Sequence, residues 1–206
     1  MPKKNENDFF FSSRRHKPLV APHRVFLFSG HMIDAPERKT PRFPAQKEGA
    51  AAAAIGGILD KLEAGSADIG LCGGACGGDL LFAEACLARG AHMEIRIPFA
   101  EPTFLEKSVT FAGESWRERF AAVKNNPRTT LLVMPQELGP TSEKTDPYER
   151  NNLWLLHTAL SMGPDKVCFI CLWDGESGDG PGGTKHMYDE VLKHAGKVYV
   201  IDVKTL

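Results

Sequence analysis

Apolar residues along the chain fall into two alternating kinds of run. Six runs are short and nearly unbroken: Arg24–Ser29 (RVFLFS), Asp68–Cys72, Met93–Pro98 (MEIRIP), Thr129–Met134, Lys166–Trp173 (KVCFICLW) and Lys197–Val203. They are too short for helices and have the continuous hydrophobicity of strands buried on both faces. Between them, apolar residues recur three or four apart. Gln46–Leu62 sets Ile55, Ile58, Leu59 and Leu62 on one side, with Gly56-Gly57 either weakening the helix or letting it pack closely. Asp79–Arg89 does the same with Leu80, Ala83 and Leu87, and Gly90 stands where a helix stops. Phe104–Val109, Glu114–Val123, Tyr148–Ser161 and Thr184–Ala195 complete the set, with Phe99–Thr103 an exit loop and Thr184 a candidate N-cap. Strand and helix alternate with no hairpin signal. The expectation is an α/β fold in three layers (α/β/α), with a mostly parallel sheet of about six strands. One domain is expected over residues 23–206, preceded by a loosely ordered arm over 1–22, where Phe9–Phe11 is a candidate docking cluster for the domain or for a second copy of the chain.

The connections carry the candidate chemistry. In open α/β sheets ligands bind beyond the carboxyl ends of the strands. Ser29, Gly30 and His31 leave the first strand there. The second strand leaves through Gly73–Gly78, with four glycines in six residues, and opens the helix at Asp79. The fifth leaves through Asp174–Gly183 (DGESGDGPGG) and opens a helix at Thr184. Two glycine-rich turns on one rim would present two sets of free N–H groups and two positive dipole ends, an arrangement suited to an anion. Close helix–sheet packing is the alternative use of the same glycines. Asp79 is open to two readings: a helix cap, or a carboxylate facing a sugar hydroxyl while a phosphate rests on Gly182, Gly183 and Thr184. The long connection Asp34–Ala45, with three prolines and with Arg38 and Arg42, is either a binding loop or a surface excursion. Arg42 and Arg117 are candidate phosphate clamps. His31 and His186 are candidates for ligand contact or for structural roles. Trp116, Trp154 and Trp173 suit the core, or one of them a stacked base.

Composition narrows the function classes. Lys plus Arg is 25 and Asp plus Glu 26 in 206 residues, a formal net charge of −1 that gives no general pull toward nucleic acid. No apolar run approaches the roughly 18 residues of a membrane span, and Met1–His16 has no apolar core of a secretion signal, so a cytoplasmic location is expected. Five cysteines read as free thiols. Cys72 and Cys76 lack the second Cys/His pair of a structural zinc site, and no metal or cofactor is expected. Cys168 and Cys171, three apart on a strand, point to opposite faces. No nucleophile elbow and no Gly-x-x-x-x-Gly-Lys-Ser/Thr phosphate loop is present.

The run Cys72-Gly73-Gly74-Ala75-Cys76-Gly77-Gly78-Asp79 resembles the Ser-Gly-x-Ala-x-Gly-Ile-Asp turn of DprA-type proteins, and Pro181-Gly182-Gly183-Thr184 is similar to part of the Pro-Gly-Gly-x-Gly-Thr-x-x-Glu motif of LOG-type proteins. Together they resemble the SLOG superfamily of Rossmann-like nucleotide-binding domains, over roughly Arg24 to Val203. The resemblance implies a Rossmann-like sheet and a pocket for a nucleotide or nucleotide derivative lined by Gly73, Gly74, Gly77, Asp79, Gly182, Gly183 and Thr184. Ser29, Gly30, His31, Arg42 and Asp174 join them from their places on the rim. LOG-type proteins cleave an N-glycosidic bond. This chain departs from their motif, lacking the x-Gly insertion and carrying Met187 where the glutamate would stand, with Glu190 a turn further on. The leading expectation is a sensor-type nucleotide-binding domain. The alternatives are a nucleotide N-glycosidic hydrolase or transferase with Asp79 as its candidate catalytic carboxylate, and a scaffold whose glycines only pack. A small nucleotide is the expected partner, nucleic acid is not, and a homodimer is a candidate assembly.

Overall fold

The computed structural model describes residues 21–135, 146–177, 182–194 and 197–206. Nearly all of the expected N-terminal arm, most of the Gln136–Asp146 connection and residues 178–181 of the second glycine-rich turn lie outside the described residues. The strands are β1 (Val25–Gly30), β2 (Ile69–Cys72), β3 (His92–Ile97), β4 (Thr129–Val133), β5 (Val167–Trp173) and β6 (Lys197–Asp202). They form one sheet in the order β4-β3-β2-β1-β5-β6, with every pairing parallel. The helices are α1 (Glu48–Lys61), α2 (Gly78–Ala88), α3 (Glu101–Ser108), α4 (Glu114–Lys124), α5 (Pro147–Ser161) and α6 (Thr184–His194). This is the three-layer Rossmann-like α/β fold.

The sheet divides the core in two because successive strand residues face opposite layers. Phe26, Phe28, Cys72, Cys168 and Ile170 pack with α1, α2 and α4 on one face. Val25, Leu27, Leu71, Phe169 and Cys171 pack with α5 and α6 on the other. Cys168 and Cys171 thus do sit in different layers. All five cysteines are free and buried, and burial pushes the Cys76 and Cys171 thiols up to about 12. Phe28 stacks on Phe82 of α2 at 4.7 Å between ring centres, fixing β1 against that helix. In α1, Gly56 leaves room for Arg89, which donates from Nη2 to the Gly56 carbonyl at 3.0 Å, whereas Gly57 faces open space.

The chain builds outward from β1 through β2, β3 and β4, then crosses to β1's other side for β5 and β6. The first three crossover connections lie on one face and the last two on the other. The direction reverses between β1 and β5, so the loops leaving these two strands diverge to opposite faces and open a crevice.

Two local expectations are corrected. The segment after β3 is not an exit loop as far as Thr103: α3 begins at Glu101, with Pro102 in its first turn, where a missing N–H costs nothing. Thr184 is the first helical residue of α6 rather than the residue flanking it.

Candidate functional site

A cavity of about 490 Å³ opens at the carboxyl end of the sheet. Of the rim residues singled out in the sequence, Ser29, Gly30, His31, Arg42, Gly73, Asp79, Gly182, Gly183 and Thr184 all line it. The exits of β1 and β2 and the N-terminus of α6 therefore converge on one space. Gly74, Gly77 and Asp174 stand behind its surface. A Cβ on Gly74 would come within 2.6 Å of Ile95. Gly77, at φ +89°, carries the β2 exit against the backbone of the β1 exit, where a Cβ would lie 2.6 Å from the Ile33 nitrogen and 2.9 Å from the His31 carbonyl oxygen. These two glycines serve packing that holds the turn in place.

Asp79 is not the cap of α2. Gly77 occupies that position, and the helix starts at Gly78. The Asp79 side chain turns back over the glycine turn, where Oδ2 accepts from the Ala75 N–H at 3.2 Å. The N–H groups of Gly73, Gly74 and Gly30 also favour its charged form, but burial dominates and raises its pKa to about 7. The carboxyl fills the donor nest that a phosphate would otherwise take, so the first glycine turn is already occupied by a side chain of its own helix.

Asp174 anchors the opposite wall. Arg42 Nε lies 3.1 Å from its Oδ2, and Arg42 Nη2 lies 3.2 Å from His31 Nε2. The Asp174 N–H reaches the same imidazole nitrogen at 3.2 Å, and Asp174 Oδ1 lies 3.0 Å from it. Nε2 therefore meets two donors, Arg42 Nη2 and the Asp174 N–H, and one acceptor, the Asp174 carboxylate, and the tautomer of His31 decides which of them it bonds. Burial first, then the Arg42 charge, lowers the His31 pKa against the opposing pull of Asp174. Burial works against ionisation of Asp174. Hydrogen bonds from Arg42, the Glu176 N–H and His31 outweigh it and hold the carboxyl well below the usual range.

The proline-rich connection is stapled at its neck. Asp34 accepts at Oδ2 from the Arg42 and Phe43 N–H groups at 2.9 and 3.0 Å, its own N–H bonds the Phe43 carbonyl, and Phe43 is fully buried. Ala35, Arg38 and Arg42 of this loop line the cavity. Gly182, at φ +84°, lies against the first turn of α5, and a Cβ there would overlap the Glu149 nitrogen. Asn152 donates to the Gly182 carbonyl at 2.6 Å, so the N-termini of α5 and α6 are held together.

The remaining candidates lie elsewhere. Arg117 is exposed on α4 and pairs with Glu114, and His186 is 3.3 Å from Glu149 Oε1 outside the lining. Trp116 is buried, Trp154 stacks beneath the Arg96 guanidinium and Trp173 packs on Tyr188. Met187 is fully buried on the sheet-facing side of α6, so no side chain at that position reaches the cavity without repacking. The sequence reading missed the far wall: Phe104, Lys107, Ser108 and Phe111 from α3 and its exit, and Tyr148, Asn151, Asn152 and Leu155 from α5. Ser108 Oγ and the Tyr148 hydroxyl sit 3.0 Å apart and tie the two helices. The doubled asparagine on a largely apolar helix was the legible signal, since a buried amide demands partners.

No protein-family model matches the sequence, and no curated protein is significantly similar to it. Among solved structures, the chain is similar to the X-ray structure of DNA processing protein A (DprA) from Streptococcus pneumoniae, at 13% identity and a TM-score of 0.39. The match covers 86% of this chain and 58% of that one, so this chain spans little more than half its length. Among the described residues, no helix is long and apolar enough to cross a membrane.

Proposed function

We propose that the protein binds a nucleotide or nucleotide derivative in this cavity and acts as a sensor-type domain. The observation that carries the reading is the convergence, at the β1/β5 reversal, of two glycine-built strand exits and a helix N-terminus on a space of nucleotide size. Its parts divide by chemistry. Phe104, Phe111 and Tyr148 offer an apolar wall for a base. Gly182, Gly183 and Thr184 open α6 and offer backbone donors for phosphate. Arg38 and Lys107 add positive charge to the same lining. Asp79, which excludes phosphate from the first turn, suits the sugar between them.

The test is thermal unfolding with AMP, NAD and cyclic dinucleotides. A rise in Tm with one of these supports binding, and Gly183→Asp, which sets a negative charge at the α6 N-terminus, should abolish it while leaving the circular dichroism unchanged. No rise with any of them sinks the reading.

A second reading follows from the near-neutral pKa of Asp79. A carboxyl poised between its two forms can stabilise an oxocarbenium-like transition state or activate water. The protein would then hydrolyse the N-glycosidic bond, with water adding at the anomeric carbon as the base departs. Chromatography of the same mixtures decides it: base released by the native chain and not by Asp79→Asn supports hydrolysis, and intact nucleotide leaves binding alone.

A further inference from the structure

We propose that the hydroxyl pair of Ser108 and Tyr148 reads the base: it offers one hydrogen-bond donor to an acceptor atom on the edge of a ring lying against Phe104, so that the cavity selects bases by where a ring nitrogen stands. The inference rests on the nucleotide reading above and adds to it two selecting residues that sequence reasoning did not single out.

Ser108 on α3 and Tyr148 on α5 both line the cavity, and their hydroxyl oxygens are 3.0 Å apart. Neither hydroxyl has another partner among the described residues. Each carries one proton to donate, and a single hydrogen bond joins them. One proton is therefore left over whichever of the two donates. Ser108 is 0% exposed, with the Tyr148 oxygen as its acceptor. The arrangement that leaves no buried donor unpaired has Ser108 donating and Tyr148, which is half-buried, holding the spare proton. Burial raises the Tyr148 pKa above its ordinary 10, so the phenol keeps that proton at neutral pH. Its ring is held edge-on to Phe99 at 5.6 Å between centres, so the hydroxyl is fixed before any ligand arrives.

The place of the pair decides what it meets. Phe104 and Ser108 are four apart on α3, on successive turns of one face, with roughly 5–6 Å between their Cβ atoms. A base resting on the wall of Phe104 and Phe111 has its edge within reach of the hydroxyls. A ring nitrogen there accepts the spare proton. A C–H in the same place leaves the donor unpaired, which costs affinity. A base is a rigid ring with acceptors at set positions, so one donor in one place tells such rings apart.

The experiment is calorimetric titration of the native chain and of Tyr148→Phe with AMP and its 1-deaza, 3-deaza and 7-deaza analogues. The acceptors of adenine are the ring nitrogens N1, N3 and N7, and each analogue replaces one of them by C–H. The expected result is that one analogue binds the native chain at least about tenfold more weakly than AMP, while the other two stay within about threefold. Tyr148→Phe keeps the ring against Phe99 and removes only the hydroxyl. It should bring AMP down to the level of that analogue and close the gap, whereas a merely structural role would weaken all of them and leave the gap open. AMP and all its analogues binding the native chain alike overturns this inference and leaves nucleotide binding standing, and this comparison holds whether or not Tyr148→Phe folds. A gap that persists in Tyr148→Phe overturns it as well. No binding of AMP overturns it too, and the nucleotide reading falls with it only if NAD and the cyclic dinucleotides also fail to bind.

Discussion

Arg42 and Asp174 are 132 residues apart in sequence, yet the guanidinium Nε is 3.1 Å from the carboxylate Oδ2. The pair joins the stapled loop after β1 to the exit of β5 across the mouth of the crevice, and His31 is held against both. Removing the arginine leaves Asp174, 7% exposed, without its strongest partner. Arg42→Met should therefore destabilise the protein by about 2 kcal/mol at neutral pH, below the roughly 3–5 kcal/mol of a fully buried pair because the Arg42 side chain keeps some solvent contact. Urea unfolding of the single and double variants with Asp174→Asn checks it. The double variant should lose less than the sum of the singles. The pair's contribution is present above 3.8, the ordinary aspartate value, and is lost as pH falls through the depressed folded value.

Asp79 should make the fold less stable as pH rises. Its folded pKa of about 7 lies above the ordinary 3.8, so between these values the folded chain binds more protons than the unfolded one. Stability then falls from about pH 4 to about pH 7 and levels above. Asp79→Asn keeps an acceptor for the Ala75 N–H and removes the charge. Its Tm should exceed the native value at pH 8, by the equivalent of about 1–3 kcal/mol, and approach it at pH 4. Equal melting temperatures at pH 8 would show that the carboxylate is not the buried group described.

Two glycines should respond oppositely to alanine. Gly77→Ala forces a side chain into φ +89° and into the Ile33 and His31 backbone, and should cost more than about 2 kcal/mol. Gly57→Ala, in α1 with open space around it, should add about 0.5–1 kcal/mol. Denaturant midpoints of both variants, measured together, test the assignment of the first turn to packing and of Gly57 to a free helix surface.

Ligand affinity should rise with pH if hydroxyls donate to Asp79. Of the titratable groups around it, His31 is lowered from its ordinary 6.5 by burial and then by the Arg42 charge, away from the pH 6 to 8 window, and burial pushes the Cys72 and Cys76 thiols above it. With a nucleoside as probe, which brings no titrating phosphate, affinity should increase roughly tenfold from pH 6 to pH 8. Asp79→Asn should give a flat profile over that range. A native profile that falls with pH would mean that the protonated carboxyl is the binding form.

The six strands, the helices between them and the two glycine-rich exits are legible in the chain itself, because hydrophobic period and glycine placement are local properties. The same local signals set Gly73, Asp79 and Gly182–Thr184 at strand ends and helix starts. They do not reveal that Asp79 folds back into its own turn, or that Gly74 and Gly77 are consumed by packing against Ile95 and the β1 exit, since both depend on neighbours distant in sequence. The order β4-β3-β2-β1-β5-β6 decided the rest. Only when the chain crosses back to β5 does the N-terminus of α5 meet that of α6, and only then do Tyr148 and Asn151 face Ser108 and Gly73 across one space. Such contacts arise from how whole layers stack, and no stretch of sequence carries the period of a stack.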